Sequence, residues 1–160
     1  MQNSLPNIES ALLSVAAALG ATTDSLVTHN PGAKTFSTTS TAWQDTGVDI
    51  TLPVKGTWIY VANFRHYFHG VANRYCAARL WNEDEGVVLG NSLRLIALNT
   101  MTAGYQNNTV YVVPITTTED DQTIRLELKA SGSMSTHKLL DDYNGGGIIM
   151  ALRVAQKINT

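Results

Sequence analysis

Two histidines three residues apart, His66 and His69, are the first candidates for metal chemistry in this chain. They lie in the segment HYFH, whose aromatic neighbours favour a strand, and on a strand residues three apart point to opposite faces. A zinc site would therefore need distant ligands, such as His29 or His137, and the chain has a single cysteine, Cys76. We expect the histidines to be structural or surface residues, Cys76 to be a small buried hydrophobe, and no metal ion or other cofactor to be bound.

Acidic and glycine-rich stretches are the next candidates. The acidic triplets at 83–85 and 119–121 lack the alternating ligands and distal glutamate of an EF-hand loop, and we interpret them as solvated hairpin tips. The glycine run 145–147 precedes a predicted strand, so it lacks the helix N-terminus that a phosphate-binding loop uses. Because no Gly-x-Ser-x-Gly segment or acid–base–nucleophile order stands out, we assign no catalytic residues and expect a protein that is not an enzyme.

Three aromatic residues in polar or loop segments are the candidates for ligand contact: Trp43, Tyr105 and Tyr143. Tyrosine and tryptophan in loops often anchor sugars or protein partners, because each offers a flat apolar face with a polar tip. Packing of the same rings over the end of the domain is the alternative interpretation.

Charge and hydropathy exclude two classes of partner. Eleven Lys and Arg against 13 Asp and Glu give a net charge of −2, which removes the basic surface that non-specific nucleic-acid binding needs. The apolar run 11–21 is shorter than the about 20 residues that span a bilayer. The residues before it contain no Lys or Arg and include Glu9, so a signal peptide is not predicted. We expect no nucleic-acid partner and no membrane insertion.

The elements that position these residues begin with a predicted helix over 4–20. Five of its apolar residues are spaced three and four apart, as on a coiled-coil seam: Leu5, Ile8, Leu12, Val15 and Leu19. Leucine at a and a β-branched residue at d favour three or four chains over two. About two heptads do not hold a coiled coil alone, so the alternative is an amphipathic helix packed on its own domain or on a partner.

From residue 34 onward, apolar residues recur with a period of two, and turns follow about every 8–12 residues. Crossover helices are missing, so the pattern predicts an all-β antiparallel sandwich, jelly roll or barrel. We expect a trimerisation or virion-docking segment over 1–33, made of the predicted helix and a polar connector over 21–33, and a jelly-roll domain over 34–160. Within the β domain, 101–108 and 131–147 are predicted to be long loops.

The order of elements over 34–154 resembles the trimeric jelly roll shared by complement globular heads and tumour-necrosis-factor-like domains, above all the versions in bacteriophage virion proteins. The stretches that carry this resemblance are VDITLPVKGTWIYVANFRHYF, ARLWNEDEGVVLGNSLRLI, VYVVPITTTEDDQTIRLELKAS and GGGIIMALRV. The segment RHYFHG departs from the family in its histidine content. The resemblance implies a homotrimer and supplies no catalytic residues.

The resemblance implies a non-enzymatic protein on the surface of a virion made in the bacterial cytoplasm. We expect a short trimeric fibre or spike that contacts the host surface, with a surface glycan as a candidate ligand. One alternative is a capsid decoration or head-fibre protein that docks on other virion proteins through residues 1–33. Others are a free carbohydrate-binding module and, since folds host many functions, a glycosidase or depolymerase.

Overall fold

The computed structural model describes residues 26–70, 73–99, 104–141 and 146–154. These residues form eleven strands and no helix, and none of them belongs to a helix that could cross a bilayer. The predicted helix over 4–20 and its heptad positions lie outside the described residues. The strands are β1 (Leu26–His29), β2 (Lys34–Thr35), β3 (Gln44–Leu52), β4 (Gly56–Gly70), β5 (Arg74–Asn82), β6 (Val87–Val88), β7 (Arg94–Asn99), β8 (Gly104–Thr117), β9 (Gln122–Ala130), β10 (Met134–Leu140) and β11 (Ile148–Arg153).

The strands form two antiparallel sheets packed face to face. The first sheet has the order β1-β11-β4-β10-β2, with β8 paired along the other edge of β4. The second has the order β3-β9-β5-β6, with β7 also paired to β5. The all-β antiparallel sandwich of jelly-roll type is therefore confirmed.

Strict alternation along β4 shows why this sequence forms a strand with one face in the core. Its even-numbered residues from Trp58 to Gly70 are buried, and the odd-numbered ones between them are half-buried. Aromatic and β-branched residues suit such a pleated surface. The largest fully buried side chains of the sandwich include Trp58, Tyr60, Phe64 and Phe68 from this strand, with Leu80, Ile124, Leu126 and Leu128 opposite.

Two segments predicted to be long loops are strands, so those predictions are wrong in part. β8 begins at Gly104, inside the predicted loop 101–108, and β10 occupies Met134–Leu140, inside the predicted loop 131–147. Both segments are rich in polar residues, which hides the apolar alternation. Each is a strand because its backbone pairs with β4, a long-range interaction that local pattern does not report.

The predicted connector over 21–33 also contains a strand. β1 pairs with β11 in the register Val27 to Ala151, so Leu26–His29 belongs to the sandwich. Four residues are too short for periodicity to identify. The division of the chain at residue 33 into two functional parts stays a prediction.

Candidate binding surfaces and a buried histidine–cysteine cluster

Trp43 lies directly before β3, and its side chain is half-buried among cationic groups. The Arg79 guanidinium carbon is 4.5 Å from the Trp43 ring centroid and 5.2 Å from that of Trp81. The Lys129 ammonium lies 5.7 Å from the Trp43 centroid. Cation–π contacts of this kind hold an aromatic ring in place. A sugar that stacked on Trp43 would have to share the ring with these cations or displace one of them.

Arg79 is held in this position by Glu127. Its Nε donates to the Glu127 carboxylate over 2.6 Å, and both side chains are largely buried, 19% and 12% exposed. The pair joins neighbouring strands, since Arg79 faces Glu127 across β5 and β9. A short charge-assisted hydrogen bond fixes the guanidinium more firmly than a surface ion pair would.

A cavity of about 270 Å³ opens beside Trp43 on the outer face of the second sheet. It combines aromatic, aliphatic and cationic groups, which suits a ligand with apolar faces and acidic or hydroxyl groups. Leu93 and Leu95, on its wall, are 59% and 61% exposed. The lining residues are Trp43, Tyr75, Ala77, Leu93, Arg94, Leu95 and Lys129.

The other two predicted ligand-contacting aromatics do not join Trp43 in a described site. Tyr105 lies in β8, where its backbone pairs with Phe68 of β4, so the prediction that it belongs to a loop is wrong. Tyr143 lies outside the described residues. Tyr75, which sequence reasoning missed, lines the Trp43 cavity instead and is 43% exposed. Its strand alternation marked it as outward-facing, but only the packed sheets place it beside Trp43.

The outer side of the first sheet carries an apolar face. Tyr60 and Ala62 point into the core, so Ile59 and Val61 between them point outward. Val61 pairs with Val112 on one side and with Met150 on the other. We define the apolar face by six residues of this surface: Ile59, Val61, Val110, Val112, Met150 and Leu152.

Exposure is uneven across this apolar face. Val110 and Val112 on β8 are 67% and 51% exposed, whereas Met150 and Leu152 on β11 are buried. Next to the exposed valines, a groove of about 390 Å³ runs between β7 and β8 and includes Leu95. Two exposed valines beside further apolar residues form a patch of the kind that partners cover.

Tyr111, one of the residues that line this groove, makes a hydrogen bond to the segment before β7. The Tyr111 hydroxyl donates to the backbone carbonyl of Ser92, and the Ser92 hydroxyl donates to the carbonyl of Leu89 over 2.6 Å. Burial raises the pKa of Tyr111 above its ordinary value, so the phenol stays protonated and able to donate. The bond ties the β8 edge of the first sheet to the segment that leads into β7 of the second.

His66, Cys76 and His137 meet in the core between the two sheets. They come from β4, β5 and β10, and all three are fully buried. The Cys76 Sγ is 3.6 Å from the His137 Nε2, and ligating atoms from all three residues lie within 4.8 Å of one another. Phe36 and Phe68 pack on these rings, with centroids 4.6 Å and 6.0 Å from that of His137.

Burial sets the protonation of this cluster. It lowers the pKa of His66 to about 3, with a further lowering by His137, and lowers the pKa of His137 to about 4. Burial also raises the pKa of the Cys76 thiol to about 12. At neutral pH the imidazoles are therefore neutral and the thiol is protonated. The prediction that Cys76 is a buried residue is confirmed.

The prediction that His66 and His69 point to opposite faces is also confirmed, since His66 is buried and His69 is half-buried on the outer side of the same strand. Sequence reasoning discounted a site built from distant ligands. The alternation of β4 could have marked His66 as a core residue. It could not show that Cys76 and His137 lie beside it.

No protein-family model matches this chain, and no curated protein matches it. Among solved structures, it is similar to VP2 from a subviral particle of infectious bursal disease virus, with 12% identity and a TM-score of 0.52. The match covers 80% of this chain but 32% of VP2, so the chain spans about a third of that protein.

Two further structures are similar at lower scores. Eiger TNF from S. frugiperda has 10% identity, a TM-score of 0.49, and matches 85% of this chain and 96% of its own. A carbohydrate-binding module of Cellvibrio mixtus lichenase 5A, in complex with cellotriose, has 14% identity, a TM-score of 0.38, and matches 81% and 97%. The likeness to VP2 shows the fold: this chain is a jelly-roll β-sandwich of the type found in a virus-particle protein.

Proposed function

We propose that this protein is a non-enzymatic structural component of a bacteriophage virion surface, a short trimeric fibre or spike that contacts the host. The observation that carries the proposal is the apolar face, whose valines Val110 and Val112 are exposed beside the half-buried Val61. Isolated exposed valines are common, but neighbouring ones that continue a buried apolar surface mark an interface.

A second copy of this chain is the partner that we assign to the apolar face. The predicted heptad seam at Leu5 to Leu19 favours three or four chains over two. The family resemblance implies a homotrimer with aromatic and aliphatic faces about its axis. A particle role is also supported by the fold, since VP2, whose subviral particle was solved, contains a similar sandwich. Residues 1–33 then attach the trimer to other virion proteins, as in a decoration or head-fibre protein.

The test is the mass of the full-length protein in solution, measured by light scattering. We expect the mass of three chains for the wild type and of one chain for Val112→Glu, because assembly would bury an unpaired carboxylate. Val88→Glu is the matched control, since Val88 is 41% exposed on the short strand β6 of the other sheet, and it should remain trimeric. A monomeric wild type, or equal behaviour of both variants, contradicts assembly through the apolar face.

A Leu12→Glu variant separates the two routes to a trimer. If the sandwich alone holds the three chains, this variant keeps the trimer mass. If the heptad seam is also required, Leu12→Glu and Val112→Glu each have the mass of one chain, and assembly depends on both regions. Dissociation of Leu12→Glu alone would move the interface away from the apolar face.

Host contact belongs to the cavity beside Trp43 in this proposal, with a surface glycan as the ligand. The cavity has the aromatic wall that sugars stack on and cations that suit acidic sugars. We expect Trp43→Ala to lose binding to host cells or to a glycan array while keeping the trimer mass. Retained binding in that variant would place the receptor site elsewhere.

A further inference from the structure

The buried cluster of His66, Cys76 and His137 supports an inference that goes beyond virion assembly. Its three side chains come from two sheets and bring two imidazoles and one thiol within 4.8 Å. We propose that this cluster is a metal site that binds one thiophilic ion, zinc or copper(I), and so links the two sheets within the core.

The spacing of the ligating atoms fits a metal ion at their centre. In a tetrahedral zinc site, ligand atoms at about 2.0–2.3 Å from the ion are roughly 3.3–3.6 Å from one another. The Cys76 Sγ to His137 Nε2 distance is already 3.6 Å. The widest separation in the cluster is 4.8 Å or less, so a ring rotation that moves His66 by about 1 Å brings the third ligand into place.

Unsatisfied nitrogens give an independent reason for a ligand here. Neither ring nitrogen of His66 has a hydrogen-bond partner in the described part of the chain, although the side chain is fully buried. His137 Nδ1 is also without one among the same residues. Buried polar atoms are nearly always paired, and each exception calls for an explanation such as an ion. A metal ion would satisfy one of the two unpartnered nitrogens of His66, whereas on His137 it would bind Nε2, the nitrogen beside Cys76 Sγ.

The chemistry of the donors selects the type of ion. Imidazole and thiolate together suit zinc and copper, whereas calcium and magnesium require oxygen ligands. Both imidazoles are neutral and thus have a lone pair available. When the ion binds, the Cys76 S–H bond breaks, the sulfur donates its electron pair to the metal, and the proton leaves to the buffer, with no change of oxidation state. Within the described residues the cluster supplies three such ligands, so water completes a zinc site, whereas copper(I) accepts three.

The site charge distinguishes the two ions. With one thiolate, a copper(I) site is neutral and a zinc site carries one positive charge. The walls formed by Phe36 and Phe68 are apolar, and an uncompensated charge is costly there. The same walls keep bulk water away from a bound ion, so the fourth ligand of a zinc site would be a single enclosed water molecule.

The test uses the full-length protein, stripped with a chelator under reducing conditions and titrated with cobalt(II) as a zinc probe and separately with copper(I). We expect saturation at one ion per chain and, for cobalt, a sulfur-to-cobalt charge-transfer band. Cys76→Ala should lose this band. His69→Gln is the matched control because His69 lies on the outer side of β4, and it should titrate like the wild type. Saturation by cobalt or by copper(I) supports the site. The ion that binds with the higher affinity identifies the metal, with cobalt standing for zinc.

If Cys76→Ala does not fold, the X-ray absorption spectrum of the metal-loaded wild type decides instead. One sulfur and two imidazole nitrogens around the ion support the proposal. Absence of stoichiometric binding by both ions, or a charge-transfer band that persists in folded Cys76→Ala, overturns it. The three residues would then be neutral core side chains and nothing more.

Discussion

The two buried tyrosines of the core give a sharp test of what a buried hydroxyl contributes to this fold. Tyr60 and Tyr111 are 0% and 2% exposed, and their rings pack edge to face with centroids 6.2 Å apart. The Tyr111 hydroxyl donates to the Ser92 carbonyl, whereas the Tyr60 hydroxyl has no partner among the described residues. Replacement by phenylalanine removes one oxygen atom at either position but has different consequences.

The expected changes in the free energy of unfolding depend on whether the lost hydroxyl makes a hydrogen bond. Tyr111→Phe leaves the buried Ser92 carbonyl without this donor, and we expect the free energy of unfolding to fall by about 1–3 kcal/mol. Tyr60→Phe removes a hydroxyl that is desolvated without compensation, so stability should be unchanged or should rise by up to about 1 kcal/mol. A difference of about 1.4 kcal/mol between the variants corresponds to a tenfold difference in the folding equilibrium constant.

Urea unfolding, followed by tryptophan fluorescence, measures both variants against the wild type. The comparison is made at equal chain concentration, because self-association stabilises the folded state by mass action. The urea dependence of the free energy should be the same in all three proteins, so that midpoints report stability alone. Equal losses of unfolding free energy in the two variants would refute the reasoning. The loss would then not depend on whether the tyrosine hydroxyl has a hydrogen-bond acceptor.

Two further predictions concern the buried ion pair and a crowded glycine. Glu127→Gln should lower the free energy of unfolding by about 2–3 kcal/mol, because Arg79 keeps its charge but loses its carboxylate, and chemical denaturation measures this loss. A smaller loss, under about 0.5 kcal/mol, would show that the pair behaves like an exposed one. Gly147→Ala should lower stability by about 1–3 kcal/mol, because its new Cβ would lie 2.9 Å from the Asn63 carbonyl oxygen. Gly90→Ala, with no atom within 4 Å of the new Cβ, is the control and should change the thermal midpoint little; equal shifts in both variants would contradict the steric explanation.

The sandwich was predictable wherever apolar and polar residues alternate on a long strand. The sequence TWIYVANF shows this pattern, and the structure places its alternate residues in the core. β10 was missed because its alternation is masked by polar and charged residues such as Lys138. Its position depends on pairing with β4, which lies more than sixty residues earlier in the chain.

The candidate sites were predictable only as single residues. Trp43 was recognised by its type and polar surroundings, but its cationic neighbours Arg79 and Lys129 come from other strands. Cys76 and His137 are 61 positions apart and meet because β5 and β10 lie in facing sheets. Sequence spacing predicts metal ligands on one helix or in one loop, and it is silent about ligands that only sheet packing brings together.

The apolar face also depends on β11, the last strand of the described residues. β4 carries Ile59 and Val61, but Met150 and Leu152 come from β11, which pairs with β4 across some ninety residues of chain. During synthesis, β4 emerges from the ribosome long before its partner exists, and such non-local pairing is slow to form. The surface that we assign to self-association is therefore complete only after β11 has been synthesised and has paired with β4. A nascent chain that has not reached β11 presents only the part of this surface that β4 and β8 carry, so we expect assembly to follow folding in time.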